Sequence, residues 1–277
     1  MLSVIDLKKE LGENIYLYPL HPESFKSNSI DLHASQFAWS ITKKCSIVNN
    51  GYIEIEAGDT ALIYSEESLY VTNRIGGSYH SKVTLVSQGT SHIGTTLDAQ
   101  YIGCSLIAVS NNSKDTIKIK VGHEFVTIQF WYLNTPDYDN VPSHDNDPGH
   151  PRMLNGFQDV DKYMEWRDSN TWTTRKKDLI MQMKDSDQYT KLKADFEKEM
   201  DRFSRNKIKK KTAQYLKIIV IMIIAIVLLC IPSYIFDFGT VTILFKNISE
   251  RIAFPVILSI TTAFIIADYK NYKNANK

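Results

Sequence analysis

Hydrophobic positions change their period twice along this chain of 277 residues. Up to about residue 135, short segments rich in Ile, Val, Thr, Tyr and Phe alternate with turn signals: NNG at 49–51, AGD at 57–59, GG at 76–77 and NNSKD at 111–115. This grammar predicts strands at Tyr52–Glu56, Thr60–Tyr64, Ser105–Val109, Thr116–Lys120 and Phe125–Trp131. Turns recur about every ten residues without a long helical pattern, which argues for one compact all-β domain over residues 1–135 rather than βαβ units. Residues 136–159, including PDYDNVPSHDNDPGHPR at 136–152, read as a loop or tail.

From Val160 to Lys211 the chain becomes charged and helix-forming, an α-helical connector over 160–211. Tyr189, Leu192, Phe196, Met200 and Phe203 recur at spacings of three and four, one apolar stripe on a helix. That stripe packs either on the β domain or on the same helix of neighbouring subunits, and the heptads are too few to require a coiled coil.

The third regime is apolar. Tyr215–Phe236 is 22 residues interrupted by Lys217 and Ser233, about 33 Å as a helix and long enough for a hydrocarbon core. Ile252–Ala267 is 16 residues, extendable by a snorkelling Arg251 and by Tyr269 and Tyr272. A hairpin of two transmembrane helices over 212–270, with a tail at 271–277, is therefore expected. Seven Lys or Arg and no acid lie between Arg202 and Lys217, and the tail carries Lys270, Lys273 and Lys277 against Asp268. The stretch joining the two runs is neutral, so both termini are expected in the cytoplasm and the protein in the inner (plasma) membrane as a multi-pass chain. Anionic lipid headgroups are the partner this basic stretch favours. A nucleic-acid arm is the competing reading, but a position beside an apolar span speaks for lipid, and no nucleic-acid partner is expected.

The whole-chain charge of +1 averages this patch away. The N-terminus, MLSVIDLKKELGENIY, lacks the basic-then-apolar layout of a secretory signal. Cys45, Cys104 and Cys230 are widely separated and form no CxxC, consistent with a reducing compartment. The seven histidines show no metal-ligand spacing, and His144 and His150 sit in an Asp/Pro/Gly-rich loop. No metal site and no cofactor are expected.

The order of signals in the β domain resembles the trimeric dUTPase and dCTP deaminase superfamily. SNSIDLHAS at 27–35 is similar to its first motif, a Ser/Gly-x-Asp-Leu strand start. GDTALIYSEESLYVTNRIGG at 58–77 is similar to the strand pair leading to the second motif, and KVTLVSQG at 82–89 stands where the family has an Arg-Ser-Ser/Gly helix. TLDAQYIGCSLIAVSN at 96–111 resembles the third motif, Ile/Leu-Asp-x-x-Tyr-x-Gly, and IKVGHEFVTIQFWYL at 119–133 the closing strand pair. The resemblance covers roughly residues 25–135 and implies a β-clip or jelly-roll-like barrel, a homotrimer with nucleotide sites between subunits.

By that resemblance Asp98 lies near the sugar and positions water in a dUTPase, while Tyr101 stacks beneath a deoxyribose. The same residues also fit ordinary β grammar, an Asp in a turn and a Tyr facing the core. The family's phosphate-contacting Arg appears as Lys82, its Ser as Val83, the next small residue as Thr84, and the deaminase's second helix Arg as Ser87. The deaminase's general-acid/base Glu falls on Ala108, which cannot shuttle a proton. Arg152, in DNDPGHPR at 145–152, matches the flavour of the tail that folds over phosphates, or simply belongs to a linker.

The nucleotide-binding set is thus Lys82, Thr84, Asp98, Tyr101 and Arg152, with Mg²⁺ arriving only on a bound triphosphate. Three functions follow. The first is a catalytically degenerate nucleotide sensor controlling a membrane hairpin, the layout of prokaryotic anti-phage effectors. The second is a membrane-anchored dUTP pyrophosphatase using Asp98. The third is a β-trimer platform without ligand.

Overall fold

A computed structural model describes residues 1–135 and 148–235, with side chains to Ile224. Contacts divide the chain into two compact units, Met1–Glu199 and Met200–Lys277. The first unit extends past the boundary expected at 135 and takes in most of the connector.

Helix α1 (Val4–Glu10) opens the chain, closed at its N-terminus by a capping box between Ser3 and Asp6. Strands β1 (Ile15–Tyr18), β2 (Ile30–Ser40), β5 (Thr60–Val71), β6 (Ile75–Ser81), β7 (Thr96–Leu97), β8 (Ile102–Ser110) and β10 (Glu124–Tyr132) form one sheet. Its order is β1-β5-β2-β10-β6-β7, with β8 also paired to β5. Strands β3 (Val48–Asn49), β4 (Tyr52–Ile55) and β9 (Ile117–Lys120) form a second sheet of three. Alternation puts Ile63, Leu69 and Val71 of β5, Ile107 and Val109 of β8, and Ile128 and Phe130 of β10 into one core. Burial of such side chains contributes roughly 1.5–3 kcal/mol each.

The all-β expectation therefore holds for the body of the domain, with two helical additions. Helix α1 lay outside it, and α2 (Val83–Val86) is a single short turn where the resemblance implied a longer helix.

The connector is not one helix. It comprises α3 (Asp161–Ser169), a 3-10 turn at Thr171–Thr173, α4 (Lys176–Lys184) and α5 (Asp187–Ile235). Leu179 and Met183 of α4 are fully buried beside β1, where the Leu17 amide meets Met183 Sδ at 3.3 Å. Of the expected stripe, Leu192 is buried and Tyr189 packs against the core, while Met200 and Phe203 in the second unit are exposed. The stripe thus serves the β domain over its first turns.

A smaller aromatic core ties residues 148–166 to the sheet. Tyr163 of α3 stacks on Tyr64 with centroids 4.2 Å apart, and Phe37 and Trp39 meet it edge-on. The Trp39 indole donates to the Gln158 carbonyl at 3.0 Å and the Tyr64 hydroxyl to that of Gly149 at 2.9 Å.

Among the described residues no helix is long and apolar enough to cross a membrane. Side chains of the first apolar run are described for Tyr215–Ile224, about 15 Å of helix. The rest of that run's side chains, the second run at 252–267 and the tail lie outside the described residues. Replacing Tyr163 by Ala should lower unfolding free energy by about 3–5 kcal/mol, read by denaturant titration. A loss under about 1 kcal/mol would show that the aromatic core does not hold the 148–166 segment.

Candidate functional site

Strand β2 carries the first motif inward. Asp31 is buried opposite Thr127 of β10, and the Thr127 hydroxyl donates to Asp31 Oδ1 at 2.5 Å. Lys82, at the start of α2, closes over this pair. Its Nζ lies 2.5 Å from Asp31 Oδ2 and 2.9 Å from Glu124 Oε2. Lys26 adds a second ammonium, 3.1 Å from Glu124 and 3.5 Å from Asp31. Burial works against the ionised Glu124, but hydrogen bonds and charge from Lys82 and Lys26 outweigh it and hold the carboxyl down at about 2. The cation expected on a phosphate is therefore already compensated by two carboxylates within the chain. Asp31 is the Asp of the Ser/Gly-x-Asp-Leu motif at 27–35, which assigned it no role of its own, and Glu124 did not stand out, because a lone acid on an alternating strand looks like a solvent-facing position.

Thr84 is exposed two residues further on, its carbonyl accepting from the Ser87 hydroxyl at 2.9 Å. Asp98 and Tyr101 occupy the turn from β7 into β8, closed by the Tyr101 amide on the Asp98 carbonyl at 3.3 Å. Asp98 is exposed. Tyr101 is buried, and its hydroxyl donates to the Cys104 carbonyl at 2.9 Å. Burial, followed by the nearby Tyr79, pushes its phenol well above the ordinary range.

The segment after residue 147 comes to the same place. The Gly149 amide donates to the Ile102 carbonyl at 3.3 Å, and the His150 ring stands 5.8 Å from that of Tyr101. Gly103 permits this approach: its φ is +132°, and a Cβ there would sit 2.3 Å from the Gly149 nitrogen. Arg152 follows, itself exposed, in a 3-10 turn, Pro151–Leu154, anchored by the buried Leu154. The fold thus brings together the Asp98–Tyr101 turn and the segment bearing Arg152, while Lys82 is engaged with Asp31 and Glu124. Ala108 is exposed on β8, so that position offers no carboxylate.

No protein-family model matches the chain. A dCTP deaminase of Pyrobaculum calidifontis is 26% identical over 143 residues, 46% of this chain and 81% of that protein. The N-terminal half has a dCTP deaminase-like fold. Among solved structures, the dCTP deaminase of Agrobacterium tumefaciens gives a TM-score of 0.38 at 14% identity, and the dUTPase of Staphylococcus aureus phage phi11 a TM-score of 0.34 at 13%. Each covers 47% of this chain, which spans 45% of the Agrobacterium chain and 97% of the phage enzyme.

A second cluster in the β domain was invisible in the histidine spacing. His21, His33 and Glu67 converge, with His33 Nδ1 2.5 Å from Glu67 Oε1 and His21 Nε2 3.8 Å from it. Burial pushes the Glu67 carboxyl up while His33 draws it back. For His33 burial opposes the charged form, but Glu67 prevails and raises it.

Lys82→Met should destabilise the domain by about 3 kcal/mol, because it leaves the buried Asp31 with the more distant Lys26 as its counter-charge. Glu124 stabilises the fold above its ordinary value of 4.5, and that contribution is lost as pH falls toward 2. Glu124→Gln should therefore flatten the acid limb of a stability-against-pH curve. An unchanged limb would assign the charge balance elsewhere.

Proposed function

We propose that the N-terminal domain is a catalytically degenerate nucleotide-binding module, its ligand a deoxynucleotide or cyclic nucleotide, that controls a membrane element at its C-terminal end. The observation that carries this reading is a pair of exposed positions, one in the turn before β8 and one on β8 itself. Asp98 presents a carboxylate at the turn, whereas Ala108 offers none where a deaminase requires its proton shuttle. The similarity to a dCTP deaminase supports the ligand class. By the same likeness the working unit is a homotrimer whose sites draw Asp98 and Tyr101 from one subunit and phosphate contacts from another, with Mg²⁺ carried by a triphosphate. The carboxylate of Asp98 also favours a second reading, a membrane-anchored dUTP pyrophosphatase in which it orients water.

The membrane arm rests on the two apolar runs at 215–236 and 252–267 with their basic outer flanks, which place the N-terminal domain and C-terminus in the cytoplasm. Ile218, Ile219, Val220 and Ile221 of α5 are all exposed, and successive steps of about 100° carry them round the helix. A helix apolar on every side needs an apolar surround. A nucleotide-responsive module joined to two spans has the layout of prokaryotic anti-phage effectors, and membrane disruption in defence is the role we assign. Ligand shifts such an element only through different affinity for its two states.

A thermal-shift panel of dUTP, dCTP and cyclic nucleotides on the purified protein tests the binding step. A ligand at about 100 times its Kd should add about 2.7 kcal/mol, and Asp98→Ala should reduce the shift. No ammonia should appear from dCTP. No shift with any nucleotide would favour the plain oligomerisation platform, and pyrophosphate release from dUTP the enzyme. In cells, one ligand state should depolarise the inner membrane, and removal of residues 215–277 should abolish this. Unaltered potential in every nucleotide state would reduce the hairpin to an anchor.

A further inference from the structure

Three breaks in the sheet meet at one point. On β10 the pairing with β2 slips between Glu124 and Val126, on β2 the pairing with β5 slips between Ala34 and Ala38, and on β5 the pairing with β8 slips between Tyr64 and Ser68. Each break forfeits ladder hydrogen bonds, and bulges of this kind turn side chains out of their regular alternation. The local polar groups are re-used. The Ser65 hydroxyl donates to the Glu67 carbonyl at 2.7 Å and accepts from the Ser105 amide at 2.8 Å. The His33 amide, freed from the ladder, donates to the Glu67 carboxylate at 3.0 Å.

The result is a carboxylate buried to 1% exposure, held against the His33 imidazole. A hydrogen-bonded ion pair accounts for His33 and Glu67, whereas the carboxylates nearest His21, those of Glu23, Glu66 and Glu67, stand 3.8–4.0 Å away, beyond hydrogen-bond reach. The His21 ring lies 4.2 Å from the His33 ring, and its Nε2 is buried with no hydrogen-bond partner. A buried imidazole nitrogen left unpaired is costly unless something with an empty orbital or a proton satisfies it.

We propose that His21, His33 and Glu67 form a binding site for a divalent transition-metal ion of the zinc class. The three donor atoms lie within 4.8 Å of one another. Two imidazoles and a carboxylate are the donor set such ions prefer over Mg²⁺ or Ca²⁺, which take oxygen ligands. Zinc bonds of about 2.0–2.2 Å at tetrahedral angles separate donors by roughly 3.3 Å. The separations of 2.5 and 3.8 Å straddle that value, so small side-chain rotations suffice. Two further carboxylates lie near His21, that of Glu66 at 4.0 Å from Nε2 and that of Glu23 at 3.8 Å from Nδ1. Glu66 also lines an open cleft of about 260 Å³ with Ala34, Gln36 and Trp166. Either Glu66 or a ligand entering from the cleft completes the coordination. The metal would join the β1–β2 connection, which carries His21, to β2 and β5.

The site is independent of nucleotide binding, and the test reads metal alone. Full-length protein, purified without a metal-affinity tag and stripped with chelator, is titrated with Co²⁺ as a spectroscopic probe and with Zn²⁺ in competition. One equivalent per chain is expected, with the visible absorption of four-coordinate Co²⁺ and a rise in melting temperature on adding Zn²⁺. His21→Ala should weaken binding by roughly 100-fold or more, beyond what loss of an outer-sphere partner does, while leaving the melting temperature of the stripped protein unchanged. Glu67→Gln should do the same; where that buried substitution unfolds the protein, the half-buried His21 carries the test. Absence of stoichiometric Co²⁺ binding, or binding unaltered in His21→Ala, overturns the proposal.

Discussion

The structure depends on how β5 is hydrogen-bonded. This strand, Thr60–Val71, pairs with β1, β2 and β8, so the main sheet has no other element through which those three are joined among the described residues. Its apolar residues Ile63, Leu69 and Val71 are fully buried, yet its middle reads Ser65-Glu66-Glu67-Ser68. Such a run would end a strand if its charges needed water. Here the chain continues because Glu67 finds the amide and imidazole of His33, and Ser65 replaces missing ladder bonds. The cost of burying a carboxylate is met locally, and the irregularity becomes a cluster of chemically active groups.

The same reasoning governs Lys82. A cation placed to meet a phosphate is most useful when uncompensated, and Lys82 lies between Asp31 and Glu124. A phosphate approaching this ammonium has to compete with two carboxylates already in contact, which costs affinity. Thr84, Asp98 and Arg152 are exposed. On the function proposed above, recognition would rely on sugar and base more than on phosphate charge.

Alternation and turn residues made much of the fold legible. Tyr52–Glu56, Thr116–Lys120 and Phe125–Trp131 match β4, β9 and β10 to within a residue or two. Strand β5 ran on beyond Tyr64 because long-range partners for Glu67 leave no local trace. Helix α1 was written in Ser3-x-x-Asp6, a cap signal overshadowed by the strands that follow. The connector read as helix-forming from its composition, and within it Trp172 and Thr173 fold into a 3-10 turn whose side chains pack inward. Of the candidate site, the Asp98–Tyr101 turn was legible as a motif. The Lys82 ion pairs and the His21–His33–Glu67 cluster were not, since each joins residues from three separate segments of the chain.

The central claim is that the domain holds a nucleotide without consuming it. Equilibrium dialysis of the full-length protein against labelled dUTP and dCTP with Mg²⁺, followed by chromatography of the retained label, tests this directly. The account predicts saturable retention of at least one nucleotide, recovered chemically intact. Recovery of dUMP, or of dUTP from dCTP, would contradict it.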